Sequence, residues 1–482
     1  MKITLPSHKT KIICTIGPAS RSEEILERLM KGGMSIARLN FSHGSLEQHR
    51  NDIATIRSVA RRLERPVAIL VDLPGPKIRI GHLETEPIIL EKGAELHLTT
   101  RDVPGTSSLI PVSYKRLPES VGPGSIIYLN DGFIELRVVD VSETDVRCVI
   151  EVDGQILSGK GLNLPGAKIF LESPTDRDLD MMKFALDEGI DTVGISFVDS
   201  ADDIIKAKDF AAQKGKTIHT IAKIERAGAV DAIEDILEVT DGIMIARGDL
   251  GVEIPIEEVP VVQKKLIRVA NLCGRPVITA TQMLESMVDS TRPTRAEATD
   301  VANAIIDGTD AIMLSEETAI GRYPVETVSM MARIAREVEH QRRTIRTSSF
   351  LQNSLKEDLR NRQINVPDTI SLSVSEAARA LDTPFILTPT TMGTTPRRIS
   401  RMKPESWILA FNKDQDVCNF LMFSYGVYPV VMATDNDAWH EQVIEYLKDS
   451  GRAEKGDRII LTEGKFSGAF GGTDSLAIIT VS

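Results

Sequence analysis

Two kinds of hydrophobic pattern alternate along most of this chain of 482 residues. Short, nearly continuous apolar runs predict buried β-strands, and longer segments with apolar residues three or four apart predict amphipathic helices. Segment 22–31 is of the second kind, because Ser22 can cap a helix that begins with Glu23 and Glu24. The apolar runs lie at 11–17, 35–41, 67–72, 192–197, 217–225, 242–247, 276–281 and 311–315.

The number of strand–helix units bears on the architecture. Eight units are the number that closes a TIM barrel, so we expect a (β/α)8 barrel of the α/β class. Extra units in an open parallel sheet are the alternative, which the count alone leaves open.

The pattern changes in two places. From about 74 to 166 short β-runs are punctuated by Gly and Pro, which predicts a β-rich domain inserted after the third strand. After a helical segment at 325–343, a polar stretch leads into a further mixture of helices and strands, which indicates a separate α/β domain. The predicted segments are the first part of the barrel at 1–72, the inserted domain at 73–168, the second part of the barrel at 169–343 and the C-terminal domain at 344–482.

Three charged residues stand at the ends of two neighbouring runs. Lys223 and Glu225 are two apart, so on a strand they share a face, and Asp249 follows the end of the next run. If the two strands are parallel neighbours, all three side chains meet at one rim. Two carboxylates and an ammonium there favour a divalent metal with a phosphate or an enolate. Taken singly, each residue is weak evidence, because Glu225 could form a salt bridge and Asp249 could be a turn residue. Lys223 could be a surface lysine, which its apolar neighbours disfavour.

Polar residues end other runs as well. Arg38, Asn40 and Ser42 alternate with apolar residues and therefore project together, either toward a ligand or as a polar network at the rim. Asp72 ends the third run, just before a stiff turn rich in proline. Thr281 ends the seventh run and is followed by QMLESM, a good helix sequence, so it is either a helix N-cap or a rim hydroxyl.

The C-terminal region holds one candidate anion site. Segment 387–398 reads LTPTTMGTTPRR, in which a threonine-rich turn at Gly393 precedes a helix carrying Arg397 and Arg398. Such a turn could cradle a phosphate, and an ordinary capped turn is the alternative. The glycine-rich segment 464–473 is expected to be a mobile loop beside it.

Composition excludes several partners. The net charge of −12 argues against nucleic acid and anionic membranes as partners, and 42% apolar with 26% charged residues fits a globular protein. The cysteines are far apart with no metal-ligand spacing, which fits a reducing cytoplasm. The first residues lack the apolar core of a signal peptide, and no apolar run is long enough to span a membrane.

Several long segments resemble the pyruvate kinase family, and the resemblance covers nearly the whole chain. They include KTKIICTIGPAS, ARLNFSHG, AKIERAGAVDAIEDIL, IARGDLGVEIP, ATQMLESM and RPTRAEATDVANAIIDGTDAIMLSEETA. The resemblance implies a TIM barrel, a β-barrel lid inserted after the third strand, a C-terminal α/β regulatory domain and a homotetramer. It also implies transfer of a phosphoryl group from phosphoenolpyruvate to ADP, which gives pyruvate and ATP in the last step of glycolysis.

The same resemblance assigns roles to the residues. Glu225 and Asp249 would hold Mg²⁺ or Mn²⁺, and Lys223 with Arg38 would bind the transferring phosphoryl group. The positions expected around the nucleotide are Asn40, His43, Arg79 and Lys160, with Asn163 near the nucleotide or the metal.

The substrate carboxylate has its own expected partners. Backbone N–H groups near Gly248 and Asp249 would hold it together with the Thr281 hydroxyl, and Thr281 would relay a proton to the enolate carbon through water. The lid that carries Lys160 would close over ADP and exclude water.

One departure from the family concerns a monovalent cation. Many relatives hold K⁺ with groups that match Asn40, Ser42, Asp72 and the carbonyl of Leu73, helped by a nearby glutamate. Here Lys77 occupies the glutamate position, and its ammonium can supply the positive charge. We therefore predict that K⁺ is not required.

Two further departures lie elsewhere. The effector loop of the family would comprise Thr388, Thr390, Gly393, Thr394 and Thr395. It lacks a hydroxyl and a cation that relatives carry, so a sugar-phosphate or AMP effector is one reading and an unregulated enzyme is the other. Glu316 stands where many relatives have glycine.

Two other functions share some of these features. A barrel lyase that cleaves a C–C bond would use the same metal and enolate chemistry, but it needs no lid cations for ADP. A non-catalytic sugar-phosphate sensor would not need Lys223, Glu225 and Asp249.

Overall fold

The structure is a computed structural model, and it describes residues 5–167, 169–341, 350–361, 363–432, 439–464 and 473–482. Residues 465–472 of the glycine-rich segment lie outside the described residues, so a mobile loop there stays a prediction. The same holds for 342–349, the start of the polar stretch that precedes the last domain. Within the described ranges, no helix is both long and apolar enough to cross a membrane.

The first five elements alternate between strand and helix. They are β1 (Lys11–Thr15), α1 (Glu23–Gly32), β2 (Met34–Asn40), α2 (Leu46–Leu63) and β3 (Ala68–Asp72). The Ser22 side chain caps α1 as predicted, and Leu26, Leu29 and Met30 on one face of this helix are buried. The local pattern and the packing therefore agree in this part of the chain.

A β-rich block follows β3. Its elements are β4 (Ile88–Leu90), β5 (Glu95–Thr99), β6 (Leu109–Pro111), α3 (Leu117–Ser120), β7 (Ile126–Leu129), β8 (Ile134–Val141), β9 (Asp145–Val152), β10 (Gly154–Ile156) and β11 (Leu162–Asn163). Six strands form one sheet in the order β11-β7-β8-β9-β5-β6, and β4 pairs with β10.

A short segment closes this sheet into a barrel. Ile80 donates its N–H to the carbonyl of Lys160 beside β11, and Gly81 donates to the carbonyl of Pro111 in β6, at 2.9 and 2.7 Å. Segment 78–81 therefore joins the two edges of the six-stranded sheet, around a separate hydrophobic core. The expected β-barrel lid is confirmed.

The alternation of strand and helix resumes after the lid. The elements are α4 (Asp176–Asp187), β12 (Thr192–Ile195), α5 (Ala201–Gln213), β13 (His219–Ile224), α6 (Ala227–Asp231), α7 (Ile233–Val239), β14 (Gly242–Ala246), α8 (Arg247–Glu253), α9 (Val259–Cys273), β15 (Val277–Ala280), α10 (Arg295–Asp307), β16 (Ala311–Leu314), α11 (Glu316–Ala319) and α12 (Pro324–Gln341). Two 3-10 turns lie at Ile256–Glu258 and Glu285–Val288. Glu316 is exposed at the start of α11, and nothing in the structure explains the choice of glutamate there.

The eight strands close into a parallel barrel in the order β1-β16-β15-β14-β13-β12-β3-β2. This confirms the (β/α)8 barrel and rules out the open sheet. Helices pack around the barrel and bury one continuous outer core.

One predicted helix is absent. The segment QMLESM after β15 forms turns and then the 3-10 turn Glu285–Val288, so the expected α-helix at this point is wrong. Thr281 and Gln282 both adopt left-handed backbone conformations, with φ of 68° and 54°. Left-handed residues do not begin an α-helix, so Thr281 is not a helix N-cap.

The last domain is a five-stranded α/β layer. Its elements are α13 (Phe350–Arg360), α14 (Val366–Leu381), β17 (Phe385–Pro389), α15 (Thr394–Ser400), β18 (Trp407–Asn412), α16 (Gln415–Leu421), β19 (Val427–Val431), α17 (Trp439–Asp449), β20 (Arg458–Glu463) and β21 (Ser475–Thr480). The strand order is β19-β18-β17-β20-β21, with only the β20–β21 pair antiparallel among these strands.

This domain covers the amino-terminal end of the barrel. The inward-facing apolar side chains of the barrel strands form a single buried cluster with Phe420, Met422 and Phe423 of the last domain. The ring of His219, at the start of β13, stacks on Phe420 at 4.1 Å between centroids. Asp310, just before β16, accepts hydrogen bonds from Lys403 Nζ at 2.6 Å and from the N–H of Tyr425 at 3.0 Å. The apolar interior thus fills the lower part of the barrel and leaves the opposite rim for polar groups.

Candidate active site

The charged residues at the rim continue the inward face of the barrel strands. Because side chains two apart on a strand share a face, a charged residue two positions beyond an inward apolar residue also points inward. The pairs are Ile36 and Arg38, Leu70 and Asp72, and Ile221 and Lys223. The period of two that the sequence shows therefore places these charges together above the apolar layer.

Four of these groups form a buried ionic cluster. Arg38 donates Nε to Asp72 Oδ2 at 2.7 Å and Nη1 to Thr15 Oγ1 at 2.9 Å. Lys223 Nζ lies 3.1 Å from Asp72 Oδ1 and 3.0 Å from Glu225 Oε1. Arg38, Asp72, Lys223 and Glu225 are each more than nine-tenths buried. Buried charges persist only when they are paired, and here cations and carboxylates alternate.

The cluster shifts the pKa of each carboxylate differently. Burial pushes the pKa of Asp72 up, but the charges of Lys223 and Arg38 outweigh it and hold that pKa below its ordinary value. The pKa of Glu225 is raised by burial, which the charge of Lys223 only partly offsets and the nearby carboxylate of Asp249 reinforces. The pKa of Lys223 lies above its ordinary value, because Asp72 and Glu225 outweigh the effect of burial. Lys223 is therefore an ammonium at every physiological pH.

Two residues that the sequence did not single out complete the cluster. Lys223 Nζ donates to Ser196 Oγ at 2.6 Å, and that hydroxyl donates to the carbonyl of Leu73 at 2.6 Å. The N–H of Phe197 donates to Glu225 Oε2 at 2.6 Å. The signal that could have found Ser196 is its position, a polar residue at the end of the apolar fourth run.

Lys77 forms an ion pair with Asp249, the second carboxylate expected to bind metal. Its Nζ is 2.9 Å from Asp249 Oδ1 and 3.5 Å from Asp131 Oδ1 of the lid. Burial lowers the pKa of Lys77, but Asp249, Asp131 and Glu225 raise it further, so the net pKa is above its ordinary value. Asp249 itself is in the first turn of α8.

The groups expected to surround a monovalent cation have other partners in this structure. Asp72 accepts from Arg38 and pairs with Lys223, and the carbonyl of Leu73 accepts from Ser196. Asn40 Oδ1 accepts from the N–H of Ser42 at 3.1 Å.

Thr281 contacts the start of α8 directly. Its Oγ1 accepts the N–H of Gly248 at 2.9 Å and donates to the carbonyl of Ala280 at 2.7 Å. Arg247 donates Nη2 to the carbonyl of Thr281 and Nη1 to Asp300 Oδ1, both at 2.8 Å. These bonds fix the left-handed turn that replaced the predicted helix, and Arg247 is a further residue that sequence reasoning missed.

The residues expected around the nucleotide lie at the barrel rim and on the facing lid. Asn40 ends β2, and His43 is exposed just after it. On the lid, Arg79 is exposed and donates to the carbonyl of Gly159 at 2.8 Å, next to Lys160. Asn163 Nδ2 lies 3.3 Å from Glu253 Oε1, across the gap between lid and α8.

The turn in the C-terminal domain exists, and its two arginines already have partners within the domain. Gly393 adopts φ of 71° and its N–H donates to Thr390 Oγ1 at 2.9 Å. Arg398 pairs with Asp368, and Arg397 Nε donates to the carbonyl of Gly393 at 3.1 Å. Arg397 therefore bonds carbonyls of the turn itself and Arg398 bonds a neighbouring helix, so a phosphate at this turn stays a prediction.

The threonines of this turn are engaged within the domain. Thr388 Oγ1 donates to the carbonyl of Leu409 at 3.2 Å, and Thr395 Oγ1 lies 2.6 Å from Thr473 Oγ1. Thr394 is half-buried at the start of α15.

The donor set at the rim fits a magnesium-like ion. Across the described residues, no group of three or more His, Cys, Asp or Glu side chains is arranged to hold a metal. The carboxylate of Asp249 lies close enough to Glu225 to raise the pKa of Glu225. Mg²⁺ is commonly held by one or two carboxylates, with substrate oxygens and water as the remaining ligands, so two are sufficient.

Fold and rim together define a TIM-barrel enzyme that handles a phosphorylated or enolate substrate, because cations and carboxylates converge at the carboxyl ends of the strands. Comparison with known proteins narrows this class. Residues 7–328 match the family described as "Pyruvate kinase, barrel domain", and residues 368–479 match "Pyruvate kinase, alpha/beta domain".

Individual proteins similar to this chain are also pyruvate kinases. The chain is 50% identical to a pyruvate kinase of Thermococcus litoralis over 99% of both chains. It is 43% identical to a pyruvate kinase of Staphylococcus epidermidis, covering 98% of this chain and 80% of the relative. A crystal structure of a pyruvate kinase from Cryptosporidium parvum superposes with a TM-score of 0.91 at 36% identity, covering 99% of this chain and 97% of that one.

The chain belongs to the pyruvate kinase family and is a phosphotransferase. Membership implies phosphoenolpyruvate and ADP as substrates. The resemblance seen in the sequence is confirmed, and the kinase is favoured over the barrel lyase.

Proposed function

We propose that this protein moves the phosphoryl group of phosphoenolpyruvate to ADP, with Mg²⁺ or Mn²⁺ held by Glu225 and Asp249 and without a need for K⁺. A β-phosphate oxygen of ADP attacks the phosphorus, the bond from phosphorus to the enol oxygen breaks, and the enolate takes a proton at carbon to give pyruvate. The observation that carries this proposal is the Lys223 ammonium, buried between Asp72 and Glu225 at the barrel rim.

Lys223 is oriented for the phosphoryl group. Three acceptors within 3.1 Å hold its amine in place, so little reorganisation is needed when charge develops on the phosphoryl oxygens. Arg38 supplies a second fixed cation, held by Asp72 and Thr15. Phosphoryl transfer depends mainly on such positioning and charge neutralisation.

The two carboxylates would hold the divalent metal. A metal bound there neutralises negative charge on phosphate and enolate oxygens. Each carboxylate already pairs with an ammonium, Glu225 with Lys223 at 3.0 Å and Asp249 with Lys77 at 2.9 Å, so both are oriented to interact with positive charge.

The start of α8 and Thr281 would hold the substrate carboxylate. Backbone N–H groups in the first turn of a helix attract anions, and those of Gly248 and Asp249 are in the first turn of α8. Thr281 Oγ1 accepts the N–H of Gly248 here, so both groups lie side by side, and they would exchange this bond for bonds to the substrate carboxylate. From that position the hydroxyl would pass a proton to the enolate carbon by way of water.

Lid and rim would enclose the nucleotide. Asn40 and His43 lie at the rim, and Arg79 and Lys160 lie on adjoining segments of the lid. Closure would bring the lid cations to the phosphates of ADP and exclude water.

The activity test replaces Lys223 with methionine, an uncharged residue of similar length. Formation of ATP is measured with phosphoenolpyruvate and ADP together and with each alone. Lys223→Met is expected to lower kcat by at least about 100-fold, because the transferring phosphoryl group loses a preorganised cation. The matched control is Lys183→Met on α4, where the lysine pairs with Asp187 at the surface, and this variant should keep wild-type turnover. Wild-type turnover in Lys223→Met would refute the proposal.

Independence from K⁺ is tested separately. Activity in buffers that contain only tetramethylammonium is expected to equal activity with added KCl, because the Lys77 ammonium supplies a positive charge between rim and lid. In Lys77→Glu, turnover should become dependent on KCl. Strict dependence of the wild-type enzyme on K⁺ would contradict the idea.

Regulation and assembly rest on the family resemblance. We propose a cytoplasmic homotetramer, to be checked by light scattering in solution. An effector phosphate at the turn that contains Gly393 is checked by titrating sugar phosphates and AMP while the affinity for phosphoenolpyruvate is measured. No change in that affinity would indicate an unregulated enzyme.

A further inference from the structure

Each metal-binding carboxylate of the rim carries an ammonium in this structure. Lys223 Nζ is 3.0 Å from Glu225 Oε1, and Lys77 Nζ is 2.9 Å from Asp249 Oδ1. We propose that the Lys77 ammonium is a built-in competitor of the divalent metal, which neutralises Asp249 in the metal-free enzyme and leaves it when the metal binds. The inference rests on the metal site of the proposed function.

A metal on Asp249 and an ammonium on the same carboxylate oxygen cannot coexist at low energy. Mg²⁺ would sit about 2.1 Å from an oxygen ligand, which places two like-charged cations within a few ångströms of each other. One of the two ammonium groups must therefore move.

The surroundings of the two lysines decide which one moves. Lys223 has Asp72 and Ser196 as further partners, all deeply buried, so it keeps its position when Glu225 takes a metal. The Lys77 side chain is 24% exposed, and its other acceptor is Asp131, which is 60% exposed at 3.5 Å. Lys77 has solvent beside it and fewer bonds to break.

Asp131 gives the displaced amine a place at the rim. It belongs to the lid turn 130–132, where all three residues are left-handed, between β7 and β8. A Cβ on Gly132 would lie 3.5 Å from Val252 of α8, so this turn rests on the barrel. An amine that leaves Asp249 for Asp131 stays at the boundary between lid and rim.

The test measures binding of Mn²⁺ alone to the free enzyme, from the electron paramagnetic resonance signal of unbound Mn²⁺. Lys77→Gln removes the charge and keeps most of the side-chain length. Its Kd for Mn²⁺ is expected to be about fivefold lower than that of the wild type, which corresponds to ~1 kcal/mol for a partly exposed ion pair. Lys77→Arg keeps the charge, and its Kd should stay within about twofold of the wild-type value.

Arg79→Gln is the matched control. Arg79 is a cation two residues further along the same segment, and it bonds the carbonyl of Gly159, not a rim carboxylate. Its removal should leave the Kd for Mn²⁺ unchanged. An equal tightening in Arg79→Gln would mean a general effect of lid charge and would overturn the competition, as would an unchanged or weaker affinity in Lys77→Gln.

Asp249→Asn separates this inference from the metal assignment. Loss of Mn²⁺ binding in Asp249→Asn, together with an unchanged Kd in Lys77→Gln, would refute only the role of Lys77. Undiminished binding in Asp249→Asn would refute the metal site itself. Circular dichroism and the melting temperature of each variant establish that it is folded.

Discussion

Thr281 keeps a backbone conformation that threonine rarely adopts. A left-handed β-branched residue costs on the order of 1–3 kcal/mol, and the next residue, Gln282, is left-handed too. The neighbouring groups offset this cost, because Gly248 donates to the Thr281 hydroxyl and Arg247 donates to its carbonyl. The strain therefore places the hydroxyl at the start of α8.

Arg247 is expected to position Thr281 for proton transfer. Arg247→Lys loses the planar fork that bridges Thr281 and Asp300, so we expect kcat to fall about tenfold. Exchange of the methyl protons of pyruvate with solvent, followed by NMR, should slow by at least the same factor. Arg275→Lys is the control, since Arg275 also donates to backbone carbonyls but lies away from the rim. Unchanged proton exchange in Arg247→Lys would show that Thr281 holds its conformation unaided.

The sequence predicted the charged rim because its signal is local. Alternation within single strands places Lys223 with Glu225 and Arg38 with Asn40, and closure of the barrel brings the strands together. The turn at Thr281 depends on Arg247, which is 34 positions away in the chain. QMLESM has good helix propensity, and these non-local bonds override it. Helix propensity alone could not reveal them.

At the scale of elements, the two chain segments that join lid and barrel are tied to each other. Asp178, in the first turn of α4, accepts the N–H of Gly75 through Oδ1 at 3.0 Å. Its other oxygen accepts the N–H and the hydroxyl of Thr175, which caps the same helix. One buried carboxylate thus holds the segment that leaves the barrel and the segment that returns to it.

Loss of this carboxylate should loosen the lid hinge. Asp178→Ala is expected to lower the free energy of unfolding by about 1–2 kcal/mol through the lost cap. It should also speed amide hydrogen exchange at 73–77 and raise the KM for ADP, because the lid is held less firmly. Thr294→Ala removes the cap of α10 at a similar energetic cost, and it should leave exchange at 73–77 unchanged. Equal exchange in both variants would contradict a hinge role.

At the scale of the whole molecule, a lysine is buried where barrel and C-terminal domain meet. Lys11 donates Nζ to the carbonyl of Val427 at 2.6 Å. Burial lowers its pKa to about 7, although Glu339 and Asp310 act in the opposite direction. The unfolded chain, with its lysine pKa near 10.5, binds more protons than the folded one between these two values.

Stability should therefore rise with pH through this window. The free energy of unfolding is expected to increase from pH 7 toward 10.5, by at most about 1.4 kcal/mol per pH unit from this group. In Lys11→Met this contribution disappears, so the difference in melting temperature between variant and wild type should change with pH. The exposed Lys265→Met is the control, and its difference should stay constant. A pH-independent difference for Lys11→Met would show that Lys11 keeps an ordinary pKa.

The cluster that joins Ile13, Ile221 and Met313 of the barrel to Phe420 and Phe423 makes the two domains inseparable. A chain that ended at residue 341 would expose the apolar amino-terminal end of the barrel to water. We expect such a chain to aggregate and not to act as a minimal catalyst. The outer surface of the last 141 residues is free to vary, but their buried face is needed to cover the end of the barrel.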